Sequence, residues 1–227
     1  MNEVRVNPKV TVIIPSLNVA PYIRECLDSV LNQSLREIEV IAVDADSTDG
    51  TAEILEEYSR NDDRVIVLRD TKRSTGFAKN LGIDKARAPY VFIVEPDDYI
   101  EKDILEILYE SAEYGELDIV KGGFDTFVGV GEDRFFFPKS VSDNRNDYGK
   151  VQNARENNDV FRWSMYEWLC LYRKEFLNKY RIRHNETPGA AFQDIGFCFL
   201  TLSLADSIKL LNNTVYHYRC DNPRSEE

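Results

Sequence analysis

The 227-residue sequence has no long apolar segment. No run approaches the roughly 20 apolar residues that a helix needs to span a bilayer, and the first ten residues contain no hydrophobic signal region. We therefore expect a cytoplasmic protein. Peripheral attachment to the inner face of the membrane, through a partner or a missing tail, is an alternative that the sequence leaves open. An apolar content of 43% suffices for one globular domain, with or without an added lobe.

Positive charge, cysteine and histidine are also scarce. The chain has 28 Lys and Arg against 40 Asp and Glu, and its net charge of −12 argues against a nucleic-acid partner because phosphates attract clustered cations. Its four cysteines are scattered without a C-x-x-C pair, which argues against a zinc site or a disulfide framework and indicates a reducing compartment. With His184 and His217 as the two histidines, a metal site must consist mainly of carboxylates.

Strand-like and helix-like patterns alternate over residues 10–120. Short apolar runs predict strands at residues 10–14, 38–43, 65–68, 90–94 and 118–120. Helical spacing of apolar residues lies between them, at residues 21–31, 48–60, 76–86 and 102–114. This alternation predicts an α/β fold with a mostly parallel central sheet flanked by helices.

The alternation stops after Gly122 and Gly123. Residues 124–160 mix aromatic and polar residues, which predicts an irregular excursion, with a hairpin and a short helix as its expected elements, lying over a site. Helical patterns return at residues 165–168, 174–180 and 193–205, followed by strands at 208–211 and 214–219. We therefore divide the chain into residues 1–121 and residues 122–227, a C-terminal lobe of the same domain.

Polar residues gather where three of the predicted strands end. Pro15, Ser16 and Asn18 follow the first strand, residues 44–51 follow the second, and the acidic run of residues 95–98 follows the fourth. Ligands of open parallel sheets bind beyond the carboxyl ends of the strands. Converging carboxylates repel one another unless a cation is present, so the pattern indicates Mg²⁺ or Mn²⁺ held by one or two carboxylates and substrate phosphates.

Each of these residues also has a structural interpretation. Asp97 or Asp98 could cap the helix that follows. Asp44 could be a turn residue, although we favour a hydrogen bond to the base or ribose of a nucleotide. For three further residues of the second strand end we favour helix capping: Asp46, Ser47 and Asp49.

The ordered motifs resemble the family 2 inverting glycosyltransferases of GT-A fold. The resemblance rests on V-T-V-I-I-P-S-L-N (10–18), V-D-A-D-S-T-D-G-T (43–51), G-F-A-K-N-L-G-I (76–83) and V-E-P-D-D-Y-I (94–100). The later segments W-L-C-L-Y-R-K-E-F-L (168–177), F-Q-D-I-G-F (192–197) and Y-H-Y-R (216–219) are similar to the acceptor half of bacterial members that build surface polysaccharides. The resemblance implies a nucleotide-sugar-binding half and an acceptor-binding half, and transfer of a hexosyl or N-acetylhexosaminyl group to a saccharide or lipid-linked acceptor.

The resemblance also implies roles for individual residues. Pro15, Ser16 and Asn18 would line the nucleotide pocket, and Asp44 would contact the base, commonly uracil, so that a UDP-sugar is the expected donor. Lys79 stands where relatives often have Arg and would reach toward the nucleotide or donor. The acidic D-x-D motif would comprise Glu95, Asp97 and Asp98, in which the aspartates bind ribose and metal. Asp194 would be the catalytic base, with an ordinary first-turn helix residue as the alternative.

Three residues depart from the family pattern. Ala45 replaces a second aspartate, Gln193 replaces the glutamate before the base, and Glu95 replaces an aspartate. We expect one nucleotide contact to be missing, and acceptor contacts to be altered at Gln193. None of the three changes removes Asp97 or Asp194, so we still expect an active enzyme.

Several other side chains have a ligand-binding and a structural interpretation. His217 could contact the metal or the diphosphate, but we favour a packed, hydrogen-bonded histidine, and we expect His184 to be a loop residue. Residues 219–224 could hold a diphosphate or a lipid phosphate, or form a solvated tail. Aromatic residues that could stack on an acceptor sugar, but that we more readily place in the core, are Trp163, Trp168 and Tyr172.

Two other functions remain as competing hypotheses. A nucleotidyltransferase would also join a parallel sheet to acidic metal ligands, but residues 15–20 contain neither the glycine nor the lysine of a phosphate loop. A non-catalytic domain of this fold, binding saccharide or a partner, is kept open by Ala45 and Gln193. A dinucleotide-dependent oxidoreductase is excluded because no G-x-G-x-x-G follows the first strand.

Overall fold

The structure is a computed structural model that describes residues 7–189 and 192–223. Its centre is a ten-stranded mixed sheet in which eight strands follow the order β3-β2-β1-β4-β9-β6-β10-β5, while β7 pairs with β6 and β8 with β10. The strands are β1 Val10–Ser16, β2 Ile38–Asp44, β3 Val65–Arg69, β4 Tyr90–Ile93, β5 Tyr99–Ile100, β6 Ile119–Val128, β7 Phe135–Lys139, β8 Val151–Gln152, β9 Cys170–Arg173 and β10 Ile208–Arg219. The α-helices are α1 Ile23–Leu31, α2 Thr51–Asn61, α3 Thr75–Lys85, α4 Ile104–Tyr114, α5 Lys174–Lys179 and α6 Gln193–Leu204.

The N-terminal half is the parallel part of the sheet. Strands β3, β2, β1 and β4 pair in parallel, and every residue of β1 and β2 is buried, as expected for strands covered on both faces. Helix α3 packs on β1 and β2 so closely that a side chain on Gly82 would meet Cγ2 of Ile13 at 2.5 Å. The start of α3 is fixed by Ser74, whose hydroxyl accepts a hydrogen bond from the N–H of Phe77 at 3.2 Å. The order of strands and helices predicted for this half is confirmed.

The C-terminal half adds antiparallel strands to the same sheet. Strand β9 pairs antiparallel with β4 and β6, and β10 runs parallel to β6. The two strands predicted at residues 208–219 are one strand, β10, whose pairing with β6 shifts register between Leu210 and Tyr216. The predicted division between residues 121 and 122 falls inside β6, and one hydrophobic core contains residues from both sides of it.

The excursion after residue 123 begins as an extension of β6. Strand β7 folds back on it as the expected hairpin, and short 3-10 helices follow. The helix predicted at residues 165–168 is a 3-10 helix, Glu167–Leu169, because the chain enters β9 at once. Among the described helices, none combines the length and the apolar character needed to cross a membrane.

Candidate functional site

At the adjacent ends of β1 and β2, one of the two carboxylate oxygens of Asp44 has no hydrogen-bond partner among the described residues. Ser16 pairs with Asp44 in the parallel register, and Asp44 is buried. Its Oδ2 accepts a hydrogen bond from the N–H of Ser47 at 3.2 Å, whereas its buried Oδ1 has no partner within residues 7–189 and 192–223. A buried polar atom without a partner is costly. Oδ1 of Asp44 is therefore a candidate acceptor for a hydrogen bond from a ligand.

Asn18 ties the loop after β1 to the loop after β2. Its backbone has a φ of 53°, and its side-chain Oδ1 accepts a hydrogen bond from the N–H of Thr48 at 2.8 Å. Pro15 and Ser16 are buried in β1, where the Ser16 hydroxyl faces its own strand. These three residues shape the sheet edge beside Asp44, and their direct contact with a nucleotide stays a prediction.

The capping role expected for Asp46 and Ser47 is wrong, since the N-cap of α2 is Gly50. Asp49 does satisfy the start of α2, because its Oδ1 accepts a hydrogen bond from the N–H of Thr51, the first residue of the helix, at 3.1 Å. Ser47 and Asp49 also accept hydrogen bonds from the loop after β1, and Asp46 pairs with Arg69 at 2.5 Å. The acidic stretch after β2 therefore holds the two loops of this sheet edge together.

The acidic turn of residues 95–98 follows β4 and is held by the end of β10. Asp98 is 1% exposed, and its carboxylate accepts hydrogen bonds from the hydroxyl of Tyr216 at 2.8 Å and the N–H of Arg219 at 2.7 Å. Burial raises the pKa of Asp98 well above its usual range, and the nearby Asp97 adds to this. Neither aspartate caps the following helix, whose N-cap is Asp103. The helix-capping interpretation of Asp97 and Asp98 is therefore wrong.

Asp97 is the more accessible of the two aspartates. Its Oδ2 accepts a hydrogen bond from Nδ2 of Asn222 at 2.7 Å, and its Oδ1 receives none from the described part of the chain. That part of the chain contains no group of three or more His, Cys, Asp or Glu side chains that could hold a metal. Hard oxygen donors from one or two carboxylates, completed by phosphate oxygens, are nevertheless what Mg²⁺ takes in nucleotide sites. The donor set fits such an ion as an incomplete site.

Lys79 lies between two carboxylates. Its ammonium contacts Oε1 of Glu95 at 2.7 Å and Oε1 of Glu167, and its side chain is only 6% exposed. Burial lowers the pKa of Lys79, but Glu167 and Glu95 outweigh it and hold that pKa above its ordinary value. Burial raises the pKa of Glu95, against the opposing effect of Lys79. Lys79 thus neutralises Glu95 beside the acidic turn, and its reach toward a donor stays a prediction.

Glu95, Lys79 and Glu167 form a chain of contacts, and His184 adds a fourth ionisable group to it. Its Nε2 faces Oε2 of Glu167, and its Nδ1 faces Oδ1 of Asn80 at 3.3 Å. The amide of Asn80 is fixed, because its Nδ2 donates to the carbonyl of His184 and to Glu186 while its Oδ1 accepts the N–H of His184. Both ring nitrogens therefore face oxygen atoms of acceptor groups, an arrangement that a ring with hydrogen on both nitrogens satisfies. His184 lies in the loop before α6, as expected, but it is buried there and stacks at 3.9 Å on Phe197 of α6.

The first turn of α6 carries Gln193 and Asp194. Gln193 is buried, and its Nε2 donates to the carbonyls of Thr187 and Gly189 at 2.7 and 3.1 Å and to the Thr187 hydroxyl at 3.0 Å. Its Oε1 has no partner within the described residues. Asp194 is partly exposed in the first helical turn, where the helix dipole stabilises a negative charge. That position suits a base, and the catalytic role stays a prediction.

Comparison with known proteins agrees with this geometry. Residues 11–200 match the model of glycosyl transferase family 2. The chain belongs to this family. It is 34% identical over 223 residues to the uncharacterized glycosyltransferase EpsJ of Bacillus subtilis (strain 168), covering 96% of this chain and 62% of EpsJ.

Two solved structures show the same fold. S. aureus TarS (residues 1–349) in complex with UDP-GlcNAc has a TM-score of 0.79 at 23% identity, over 95% of this chain and 60% of that one. The mannosyltransferase PcManGT from Pyrobaculum calidifontis, in complex with GDP-Man and Mn²⁺, has a TM-score of 0.63 at 19% identity, over 96% and 58%. The predicted GT-A fold is thus confirmed. The chain spans about three fifths of the length of these relatives.

In this family 2 chain, the two remaining candidates of β10 are both buried and hydrogen-bonded. His217 lies between Asp125 at 2.7 Å and Glu101 at 2.9 Å, and stacks on Tyr99 at 4.4 Å. It is the packed, hydrogen-bonded histidine that we favoured. Arg219 is 2% exposed and donates to the carbonyl of Asp97 at 3.0 Å, so it is not part of a solvated tail. Residue 224 lies outside the described residues.

The aromatic residues considered as sugar platforms belong to the core. Trp163, Trp168 and Tyr172 are all nearly inaccessible to solvent. The sequence analysis overlooked Glu167, a completely buried acid directly before the apolar run W-L-C-L-Y. A carboxylate at that position needs a buried cation as its partner, and this requirement was the available signal.

Proposed function

We propose that this chain is the transferase domain of an inverting glycosyltransferase that uses a UDP-sugar and a saccharide or lipid-linked acceptor in surface polysaccharide synthesis. The observation that carries the proposal is the placement of Asp44 and the acidic turn at the carboxyl ends of the adjacent strands β2, β1 and β4. Ligands of open α/β sheets bind at this edge. Family membership and the likeness to a structure with bound UDP-GlcNAc support the choice of ligand.

Asp44 and the loops around it would bind the nucleoside. The unpartnered Oδ1 of Asp44 can accept a hydrogen bond from the N–H of a uracil ring, and Asn18 keeps the two neighbouring loops together. Recognition of this kind is specific because a buried acceptor left unpaired by the wrong base is penalised.

Asp97 and Asp98 would hold Mn²⁺ or Mg²⁺. Asp97 supplies the more accessible oxygen, and Asp98 fixes the turn through Tyr216 and Arg219. When bound, the ion would neutralise negative charge on the diphosphate leaving group. The pairing of Lys79 with Glu95 removes one negative charge from the site and so favours the approach of a diphosphate.

Asp194 would accept the proton of the acceptor hydroxyl. The hydroxyl oxygen attacks the anomeric carbon, the bond from that carbon to the diphosphate oxygen breaks, and the nucleotide diphosphate leaves. A single displacement from the opposite face inverts the anomeric configuration. A carboxylate can serve as such a base when it is well placed, and Asp194 lies in the first turn of α6.

Calorimetry of UDP with and without Mn²⁺ tests the donor site. We expect Mn²⁺-dependent binding that falls at least about tenfold in Asp97→Ala, the size expected for the loss of one charged contact. Asp63→Ala, an exposed aspartate in the turn before β3, is the matched control and should bind like the wild type. If UDP affinity is the same with and without Mn²⁺ and is unchanged in Asp97→Ala, the result would contradict the proposal and favour a non-catalytic domain.

Asp194→Asn separates binding from chemistry. It should keep UDP affinity and lose turnover of a UDP-sugar by about 10²–10⁴-fold, the usual contribution of a general base. Full turnover in this variant would mean that another residue is the base.

A further inference from the structure

A stack of aromatic rings runs beside the acidic turn and belongs to none of the roles assigned above. Trp168, almost fully buried, is at its centre. The rings of Tyr216 and Tyr166 lie 4.2 and 4.7 Å from it, with interplanar angles of 27° and 18°. Tyr218 is parallel to Trp168 within 2° at 5.5 Å, and Phe124 meets Trp168 edge-on. Five rings thus form one rigid unit.

One end of this stack adjoins the acidic turn. The hydroxyl of Tyr216 donates a hydrogen bond to Asp98 at 2.8 Å. Burial, followed by the charges of Asp98 and Asp97, raises the pKa of Tyr218 to about 12. The stack therefore begins where the metal and diphosphate are expected.

The other end is Tyr166, the most exposed ring of the stack. The residue is 40% exposed, although Trp168 stacks on its ring and Phe124 meets the ring at a steep angle at 5.4 Å. Its carbonyl accepts a hydrogen bond from the ammonium of Lys121 at 2.9 Å. Lys121 is 2% exposed and has no ion pair within residues 7–189 and 192–223, and its Nζ makes a further hydrogen bond to Sγ of Cys170 at 3.4 Å.

A buried ammonium without a carboxylate partner is unfavourable. In this chain the ammonium of Lys121 fixes the backbone of Tyr166, and the stack fixes the ring. Tyr114, by contrast, is 98% exposed and has no comparable support. The ring of Tyr166 is thus preorganised, so a ligand that stacks on it orders little that was mobile before.

Tyr166 also lies next to the second wall of the site. The 3-10 helix Glu167–Leu169 begins at the following residue and packs against α6, the helix whose first turn carries Asp194. Tyr166 is therefore linked to the acidic turn through Trp168 and Tyr216, and to α6 through the 3-10 helix that follows it. An acceptor has to lie near both of these elements for its hydroxyl to meet the donor and the proposed base.

We propose that the outer face of Tyr166 is a stacking platform for a pyranose ring of a saccharide acceptor. β-Linked hexopyranoses present a flat face of C–H groups, which packs on an aromatic ring while the hydroxyls stay in water. The assignment of this sugar as an acceptor rests on the proposed function. The binding of a sugar at Tyr166 does not, and it is tested without turnover.

Saturation-transfer difference NMR with cellobiose, lactose and N,N′-diacetylchitobiose tests the platform. At least one of the three disaccharides should bind, with the strongest transfer to the protons of one ring face. Tyr166→Ala should weaken that binding about tenfold, as truncation of a central aromatic contact does, and Tyr166→Phe should keep it. Tyr114→Ala is the matched control and should bind like the wild type. Lys121→Met should weaken the binding in the same direction as Tyr166→Ala.

Two results would overturn the platform: none of the three disaccharides binds, or binding is equal in Tyr166→Ala and the wild type. Equal binding in Lys121→Met would overturn the anchoring role of Lys121. UDP affinity, measured by calorimetry in the same variants, reports the donor site separately and should stay unchanged. It also shows that Tyr166→Ala is folded. If the wild type does not bind UDP, the result would count against the proposed function and not against the platform.

Discussion

Glu167→Gln is the substitution with the largest predicted effect on folding. Glu167 is completely buried between the ammonium of Lys79 and the imidazole ring of His184. Glutamine keeps the shape but removes the charge, and its amide N–H₂ would face Lys79 or the ring of His184. Removing one partner of a buried ion pair costs about 3–5 kcal/mol because the remaining charge is uncompensated.

The acid–base properties of Glu167 give a similar magnitude. Burial raises its pKa, but His184 and Lys79 prevail and lower it from 4.5 to about 2. A lowering of that size corresponds to about 3 kcal/mol. Because the folded pKa lies below the unfolded one, this stabilisation is fully present above pH 4.5 and is lost as the pH falls toward 2. The difference between wild type and Glu167→Gln should therefore shrink across that range.

Urea unfolding followed by tryptophan fluorescence measures the loss of stability in Glu167→Gln and the dependence of that loss on pH, since Trp168 adjoins Glu167 in the chain. The matched control is Glu57→Gln, which breaks an exposed pair with Arg24 and should cost less than about 1 kcal/mol. If Glu167→Gln costs no more than this control at neutral pH, or if its cost does not decline in acid, the buried charge chain does not exist as described.

Two further predictions concern side chains with fixed hydrogen-bond roles. Ring ¹⁵N shifts should show His184 protonated on both nitrogens in the folded protein, with His184→Gln assigning the signals; a neutral tautomer would contradict the arrangement around Asn80. Gln193→Glu should destabilise the protein by about 1–3 kcal/mol, because a carboxylate would face three oxygen acceptors at residues 187–189. Gln193→Glu with wild-type stability in thermal unfolding would mean that this loop is held by other contacts.

The N-terminal half could be predicted from the sequence because its signals are local. Buried parallel strands have continuous apolar runs, and the helices between them have one apolar face, so β1 to β4 and α1 to α4 follow from short segments. The polar strand ends were also visible, and the structure brings Ser16 and Asp44 side by side. The observed bounds of a helix differ from the predicted ones where the preceding loop continues into the predicted helix. Helix α2, for example, begins at Thr51 after Gly50 and not at residue 48.

The side-chain contacts of the candidate site could not be predicted, because they join residues that are distant in the sequence. One of the two carboxylate partners of Lys79, Glu167, is 88 residues away, and the hydrogen-bond donors of Asp98 lie 118 and 121 residues away in β10. No periodicity reveals such pairs. The same holds for Tyr166, which is exposed although Trp168, which stacks on it, is buried. Sequence reasoning favoured the core for Trp163, Trp168 and Tyr172, which is correct, and it did not consider Tyr166.

The distribution of charge explains how a chain with net charge −12 can present a site to a diphosphate. Glu95 is neutralised by Lys79, and Asp98 is held by a hydroxyl and a backbone N–H, so neither adds an exposed negative charge. Asp97 remains as the accessible carboxylate of the turn. One such oxygen binds a divalent cation weakly, whereas the same oxygen together with two phosphates completes a site. The geometry therefore favours joint binding of ion and nucleotide, in which each supplies the charge that the other lacks.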